Sequence, residues 1–239
     1  MQLAYNGTGY LGWQIQPQEP TVQGVIENAL CRLLHQHIAI TGAGRTDTGV
    51  NARMMVAHFD CADPLPADIV YRLNCMVGKN IAIEKIWQVS DSAHARFDAV
   101  SRTYHYYVTT AKDPFLYPLS WQAPPHLDFE AMNRAATYLL GRQDFTSFSK
   151  LHTQVKTNIC TVTEARWEPC DPDGKKWRFV ITADRFLRNM VRAVVGTLVE
   201  VGRHKTPPEA VADIIARRDR CSAGTSMPPQ ALFLFEIKY

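Results

Sequence analysis

The chain has 239 residues, of which 46% are hydrophobic and 21% are charged, an ordinary balance for a globular protein. Its length allows one large domain or two small ones. No apolar run approaches the ~18 residues of a membrane span, and the N-terminus does not resemble a signal peptide, so we expect a cytoplasmic protein. Six cysteines form no C-x-x-C pair and eight histidines form no H-x-x-x-H pattern. The sequence therefore predicts reduced thiols and no metal site.

The net charge of +3 is distributed unevenly along the chain. Between positions 175 and 205, eight basic residues face two acidic ones, a net charge of +6 that leaves −3 for the remainder. A basic segment on a nearly neutral protein suggests an anionic partner such as phosphate or nucleic acid. A solvated basic surface would give the same composition.

The first hundred residues contain three expected strands and two helices. A strand begins near Leu3, and the aromatic residues beside glycines at 10–14 suit either base stacking or a packed hairpin. Thr21 is expected to cap a helix with apolar residues at helical spacing up to Leu34. Strands over 54–59 and 81–89 and a short helix over 68–76 complete this part.

The segment G-A-G-R-T-D-T-G-V-N-A at 42–52 joins two extended runs, so it lies at the end of a sheet. Its three glycines allow close approach of a ligand to the backbone, and its only acid, Asp47, lies two residues after Arg45. A carboxylate beside an arginine can be kept ionised. An ordinary tight turn is the alternative interpretation.

A strand over 100–108 places Arg102, Tyr104 and Tyr106 on one face, since side chains alternate with a period of two. Arginine is rare on a core-facing strand, and an arginine with aromatic rings can form a platform for a nucleobase. A half-buried β-ribbon is the alternative.

The second part begins with a helix capped by Asp128 and ended by Gly141, followed by paired strands over 160–167 and 177–183. A long amphipathic helix is expected over 186–201, with Arg185, Arg188 and Arg192 together at one edge. One of these arginines could pair with the carboxylate of the 42–52 loop. A last helix over 209–218 and a strand over 231–239 follow.

Strands and helices alternate in two runs of similar make-up, before and after residue 100. This order predicts an α+β fold with an N-terminal half over 1–100 that carries the Asp47 loop. The C-terminal half over 101–239 carries Tyr104 and the basic helix.

These residues resemble those of the TruA-type tRNA pseudouridine synthases from end to end. The segments that carry the resemblance are A-Y-N-G-T-G-Y-L-G-W-Q at 4–14, T-V-Q-G at 21–24, G-R-T-D at 44–47, V-A-H-F-D at 56–60, A-R-F at 95–97, R-T-Y-H-Y at 102–106, L-G at 140–141, D-F-T-S-F at 144–148, F-L-R-N-M-V-R at 186–192 and Gly196. The resemblance implies the pseudouridine synthase fold, in which two similar halves share a central, mainly antiparallel sheet with the active-site cleft between them.

The resemblance also implies the activity, which is conversion of uridine to pseudouridine in the anticodon stem-loop of tRNA, around tRNA positions 38 to 40. It implies a homodimer that needs no metal or organic cofactor. By position, Asp47 resembles the catalytic aspartate, Tyr104 the residue that stacks on the target base and Arg192 the partner of the aspartate. Arg45 resembles the loop arginine that enters the space left by the flipped nucleotide. Arg185 and Arg188 are expected to contact RNA.

Two residues depart from the family pattern, in which alanine and histidine usually stand where this chain has Thr48 and Asn51. Both follow the acid, so we expect the chemistry to be kept and the loop packing or RNA contacts to differ.

Two other classes of protein fit part of the sequence. The D-T-G at 47–49 is found in aspartic proteases, but these need a second acid, and the chain has no second D-T-G. A non-catalytic RNA-binding module would explain the aromatic strand and the basic segment, but not the single acid in the glycine-rich loop.

Overall fold

The structure is a computed structural model that describes residues 1–124, 126–150 and 157–239. Its strands are β1 (Gln2–Tyr5), β2 (Thr41–Gly42), β3 (Asn51–His58), β4 (Ile81–Lys85), β5 (Ser101–Thr109), β6 (Trp121–Gln122), β7 (Gly141–Asp144), β8 (Ile159–Pro169), β9 (Lys176–Ala183) and β10 (Leu232–Lys238). Its α-helices are α1 (Val22–Leu34), α2 (Ile69–Met76), α3 (Phe129–Ala136), α4 (Met190–Gly202) and α5 (Ala210–Arg217). The mixture of sheet and helices confirms the α+β class.

The chain forms two compact units, one of residues 1–100 with 233–239 and one of residues 101–232. In the first unit the strand order is β4-β1-β3-β10. Strand β1 pairs antiparallel with both β3 and β4, and β10 pairs parallel with β3. Helices α1 and α2 pack against each other, and the core contains Leu3, Ile26, Leu30, Met55 and Leu73.

Helix α1 begins where the sequence predicts. The Thr21 hydroxyl accepts a hydrogen bond from the Gly24 amide at 3.3 Å and so satisfies one of the unpaired amides of the first turn. The strand expected over 81–89 is shorter in the structure, where β4 ends at Lys85.

In the second unit the strand order is β5-β9-β8-β7, all antiparallel, with β6 added parallel to β5. The predicted pairing of β8 with β9 is confirmed. Helix α3 packs on α4 and on β8. Its cap is also confirmed, since the Asp128 carboxylate accepts a hydrogen bond from the Ala131 amide at 2.8 Å. The α3 helix ends at Ala136 and not at Gly141, because a 3₁₀ turn over Thr137–Leu139 follows it.

The start predicted for the long helix over 186–201 is wrong. Helix α4 begins at Met190, since the preceding Asn189 has a φ of +67°, in the left-handed region, which a right-handed helix cannot include. Residues 184–189 therefore form a loop after β9. The helix itself is almost entirely buried, so it is not the amphipathic helix that the sequence predicts.

No α-helix among the described residues is long and apolar enough to cross a membrane. In the same part of the chain no group of three or more histidine, cysteine, aspartate or glutamate side chains could hold a metal ion.

Candidate active site

Asp47 lies on the loop that joins β2 to β3. The two strands pair antiparallel, and the Ala43 amide extends the ladder by donating to the Val56 carbonyl at 2.8 Å. The Val50 amide donates to the Asp47 carbonyl at 3.1 Å and closes a turn. The Asp47 side chain is half-buried, whereas Arg45 is exposed. The paired strands therefore hold both ends of the loop and leave Arg45 accessible.

The segment that follows β1 holds this loop on both sides of Asp47. The Trp13 amide donates to the carbonyl of Thr46 at 3.2 Å, and the Gly49 amide donates to the carbonyl of Tyr10 at 3.4 Å. Gly12 has a φ of +89°, and a Cβ at this position would lie 2.5 Å from the Thr46 carbonyl oxygen. Only glycine allows the two backbones to approach this closely.

Two buried side chains complete the contact. The Tyr5 and Thr46 hydroxyls lie 2.8 Å apart and share a hydrogen bond. The Trp13 side chain is 1% exposed and packs on Gly42, where a Cβ would be 2.7 Å from the indole ring. The stacking role considered for the aromatic residues at 10–14 is therefore wrong for Trp13, because its ring is part of the core.

Asn51, one of the two departures from the family pattern, has a structural role. Its side chain is 1% exposed, and its Oδ1 accepts a hydrogen bond from the Gly7 amide at 2.8 Å. A Cβ on Gly7 would overlap the carbonyl oxygen of Val50. Asn51 thus accepts from the Gly7 amide at a point where the backbones of Gly7 and Val50 are too close for any residue larger than glycine at position 7. Thr48, the other departure, is exposed.

In the second unit, Tyr104 lies in the middle of β5, opposite Ile181 of β9. Its ring is half-buried and meets the ring of Phe186 edge to face, with centroids 5.0 Å apart and an interplanar angle of 81°. On the same strand, Arg102 Nη1 donates to the Asp184 carbonyl at 2.9 Å. Phe186 thus supports one side of the Tyr104 ring.

The third member of the expected platform, Tyr106, does not belong to it. Its side chain is fully buried, and its hydroxyl donates to the Pro228 carbonyl at 3.1 Å. Burial raises the pKa of Tyr106 far above its usual range, so that it stays neutral and acts as a donor. Alternation of side chains along β5 places Tyr106 on the same face as Tyr104. It does not show that this face lies near the surface at Tyr104 and in the core at Tyr106.

Arg192 lies in the first turn of α4 and is held to the segment at 224–228 by two hydrogen bonds. Its Nε donates to the Met227 carbonyl at 2.5 Å, and the Met227 amide donates to the Arg192 carbonyl at 3.1 Å. One turn further along, a Cβ on Gly196 would overlap the Thr225 carbonyl oxygen. Close approach at Gly196 therefore brings this segment near enough to orient the Arg192 side chain.

Arg185 and Arg188 do not share a helical edge with Arg192, because both lie in the loop before α4. The Arg185 amide donates to the Asp184 carboxylate at 2.7 Å, and the Arg188 carbonyl accepts from the Lys150 backbone amide at 3.0 Å. The prediction that the three arginines form a stripe on one helix is therefore wrong. Arg185 and Arg188 lie instead in a basic loop that leads into the helix carrying Arg192.

The residues that hold the loop and the helix are the ones that sequence reasoning missed. The sequence shows Tyr5, Gly12 and Trp13 only as part of a family segment or as aromatic residues, and no pattern in it indicates a role for Met227. The glycine–tryptophan pair was the one available signal, since glycine beside a large ring often marks a close backbone contact. The pairing of Asp47 with Arg192, and the roles of Arg45 and Tyr104, stay predictions.

Comparison with known proteins gives full-length similarity. A profile of the family described as tRNA pseudouridine synthase matches residues 2–98 and 135–239. The chain is 54% identical over 240 residues to tRNA pseudouridine synthase A of Parabacteroides distasonis, covering 99% of this chain and 94% of the relative. It is 51% identical to the protein of that name from Bacteroides thetaiotaomicron, covering 99% and 88%, and 40% identical to that from Brevibacillus brevis, covering 99% and 97%.

Proposed function

This chain belongs to the TruA-type tRNA pseudouridine synthases, a family of isomerases, and we propose that it converts uridine to pseudouridine in the anticodon stem-loop of tRNA, around tRNA positions 38 to 40. We propose Asp47 as the essential carboxylate. The observation that supports this role is the loop itself, in which the residues on either side of Asp47 are hydrogen-bonded to the segment after β1. A carboxylate on a fixed backbone is oriented before substrate arrives.

The proposed reaction exchanges one glycosidic bond for another. The N1–C1′ bond of uridine breaks, the base turns, and C5 bonds to C1′, after which C5 loses its proton and N1 carries one. The target nucleotide must first leave the stack, which costs a few kcal/mol. Asp47 acts at C1′, at the base or on a sugar proton, and an ionised carboxylate suits each of these steps.

Tyr104 is proposed to stack on the flipped base. Base–aromatic stacking contributes ~1–3 kcal/mol per base, which offsets a large part of the cost of flipping. The edge-to-face contact with Phe186 supports this role, because it fixes the plane of the Tyr104 ring before the base arrives.

Arg192 is proposed as the cationic partner of Asp47, since a nearby guanidinium favours the ionised carboxylate. Its Nε is already engaged by Met227, so the direction of the guanidinium is defined within its own unit. Arg45, exposed on the Asp47 loop, is proposed to enter the space that the flipped nucleotide leaves.

The substrate is proposed to bind with its phosphates near the basic loop that contains Arg185 and Arg188, since arginines recognise phosphate well. We also propose that the enzyme is a cytoplasmic homodimer. It is proposed to need no metal or organic cofactor, because the reaction involves no redox change and no external energy.

The test is release of tritium from tRNA transcripts labelled at uridine C5, because each conversion frees the C5 proton. The wild-type chain is expected to release tritium from a transcript with uridine at position 39 and not from one with cytidine at positions 38 to 40. Asp47→Asn keeps the size of the side chain and removes its charge, so it should bind tRNA and release no tritium. Thr48→Ala, the neighbouring exposed position, is the matched control and should turn over.

Two outcomes would contradict the proposal. Turnover by Asp47→Asn would remove Asp47 from the mechanism. Tight tRNA binding by the wild-type chain without tritium release from any tRNA would instead support a non-catalytic RNA-binding module.

A further inference from the structure

The A-R-F segment at 95–97 has no role in the proposed reaction, yet it lies in a turn that is held by many hydrogen bonds. The His94 ring accepts at Nδ1 from the amides of both Arg96 and Phe97, each at 3.1 Å. The Asp98 carboxylate accepts from the His94 amide at 2.7 Å, and the Asp98 amide donates to the His94 carbonyl at 3.1 Å. Residues 94–98 therefore form a closed turn.

Two side chains from the adjoining sheet fix this turn in place. His58, at the end of β3, accepts from the Ala95 amide at Nδ1 over 3.1 Å. The hydroxyl of Tyr239 donates to the Ala95 carbonyl at 2.8 Å. Burial, followed by the nearby His94, lowers the pKa of His58. A neutral ring at pH 7 keeps the unprotonated Nδ1 that this hydrogen bond requires.

The rings of His58, His94 and Phe97 follow one another from the end of β3 to the surface. The His58 and His94 rings meet edge to face with centroids 4.7 Å apart, and the His94 and Phe97 rings are stacked at 4.1 Å with an interplanar angle of 29°. Phe97 is 74% exposed, and the guanidinium carbon of the exposed Arg96 lies 5.7 Å from its ring centroid. The His94 ring covers one face of Phe97.

A single exposed apolar residue is ordinary on a protein surface. This ring differs because hydrogen bonds between Ala95 and the side chains of His58 and Tyr239 fix its turn, which is the arrangement expected of a preformed contact surface. An exposed aromatic ring with a guanidinium over it matches one ligand chemistry, an unpaired nucleobase with its phosphate. The exposed Asp98 carboxylate also belongs to this turn, where it accepts from the His94 amide and keeps its negative charge.

We propose that Phe97 and Arg96 form a second tRNA contact, in which an unpaired base of the tRNA stacks on the Phe97 ring and Arg96 contacts a flanking phosphate. This contact rests on tRNA being the substrate. It contributes to tRNA affinity and takes no part in the chemical step.

The test compares the equilibrium affinity and turnover of variants of the full chain on an unlabelled or C5-labelled tRNA transcript. Phe97→Leu keeps an apolar side chain and removes the ring, so it should weaken tRNA binding about 5- to 100-fold. Phe97→Tyr keeps the ring and should bind like the wild type. At saturating tRNA, kcat should be unchanged in both variants. Tyr71→Leu, an aromatic residue that is 72% exposed on α2, is the matched control and should bind tRNA normally.

Salt dependence separates the two parts of the contact. Arg96→Gln should reduce the slope of log affinity against log salt concentration by about one, because one phosphate contact is lost. Phe97→Leu should leave that slope unchanged, since stacking releases no counterion.

Three results would overturn the inference. Wild-type affinity in Phe97→Leu would show that no base stacks on the ring. A change in oligomeric state of Phe97→Leu by light scattering would show that the ring meets a second copy of the chain. Equal losses in Phe97→Tyr and Phe97→Leu would show that the ring itself is not recognised. Failure of the wild type to release tritium would count against the proposed reaction, whereas the binding comparison for Phe97 would stand separately.

Discussion

The Tyr5 hydroxyl lies 2.8 Å from the Thr46 hydroxyl, and the two residues are 41 positions apart in the chain. Thr46 directly precedes Asp47, and its carbonyl also accepts a hydrogen bond from the Trp13 amide. Both the side chain and the backbone of the residue before the proposed catalytic acid are therefore fixed by the strand β1 and the segment after it.

Tyr5→Phe should reduce turnover without weakening tRNA binding. A typical hydrogen bond contributes about 1 kcal/mol, so its loss should lower the population of the productive loop and reduce kcat up to about tenfold. The free energy of unfolding should fall by about 0.5–1.5 kcal/mol. Single-turnover tritium release, an equilibrium binding assay and a urea melt measure these three quantities.

The second partner of the same hydrogen bond provides the control. Thr46→Ser keeps the hydroxyl and should retain turnover, whereas Thr46→Val should lose about as much as Tyr5→Phe. The double variant Tyr5→Phe with Thr46→Val should lose little more than either single variant, because one interaction is removed in all three. Additive losses would show that the two hydroxyls act independently.

Gly12→Ala should impair the enzyme more than Gly9→Ala, although both glycines have a positive φ, of +89° and +84°. A Cβ at Gly9 meets nothing within 4 Å, so Gly9→Ala bears only the backbone strain, of order 1–2 kcal/mol. A Cβ at Gly12 would lie 2.5 Å from the Thr46 carbonyl oxygen and must displace the Asp47 loop. Displacements of about 1 Å can cost 10²-fold in rate, so kcat of Gly12→Ala should fall by about that factor. Thermal melts and kcat of the two variants test this, and equal kcat values would show that the close contact does not position the loop.

Local patterns in the sequence were enough to predict some elements and not others. The cap at Thr21 and the pairing of β8 with β9 follow from residues close together in the chain, and both are confirmed. The start of α4 was missed because the left-handed conformation of Asn189 leaves no mark in apolar periodicity. The burial of Trp13 depends on Gly42, which is distant in sequence, so no local pattern could reveal it.

The same distinction applies to the candidate site. Glycine content and a single acid indicate the Asp47 loop as a candidate site from the sequence alone. The contacts that fix the loop come from Tyr5 and Gly12, and those that orient Arg192 come from Met227. These contacts link segments about 35 to 40 residues apart, so only a folded structure can supply them.

Arg192→Lys should lower kcat although it keeps the positive charge. Lysine lacks the planar guanidinium, so it cannot donate from Nε to Met227 and direct two further donors at the same time. We expect kcat to fall about tenfold or more, which corresponds to the loss of one oriented charged hydrogen bond of about 1.5–3 kcal/mol. Arg217→Lys, at an exposed position in the last turn of α5, is the matched control and should keep wild-type kcat. Equal kcat in wild type and Arg192→Lys would show that only the charge matters.

The stability of the protein should fall as the pH is lowered from about 6.5 to 4, in part because of His105. Its side chain is buried on β5, and burial, with a smaller effect from Arg178, lowers the pKa of His105 to about 4, against 6.5 when the residue is solvated. Above pH 6.5 the ring is neutral in both folded and unfolded chains. Between pH 6.5 and 4 the unfolded chain binds a proton that the folded chain does not, so unfolding becomes more favourable as the pH falls.

The pKa difference of His105 corresponds to up to about 3 kcal/mol of stability that is present above pH 6.5 and lost by pH 4. His105→Asn cannot titrate, so its free energy of unfolding should vary less with pH than that of the wild type over this window. His58, Glu168 and the Met1 amino group, whose pKa values are also lowered, contribute to the slope that remains. Urea melts at pH 7.5, 6, 5 and 4.5 measure the difference, with the exposed His37→Asn as the control that should keep the wild-type slope. Parallel curves for wild type and His105→Asn would mean that His105 is protonated in the folded protein as readily as in the unfolded chain.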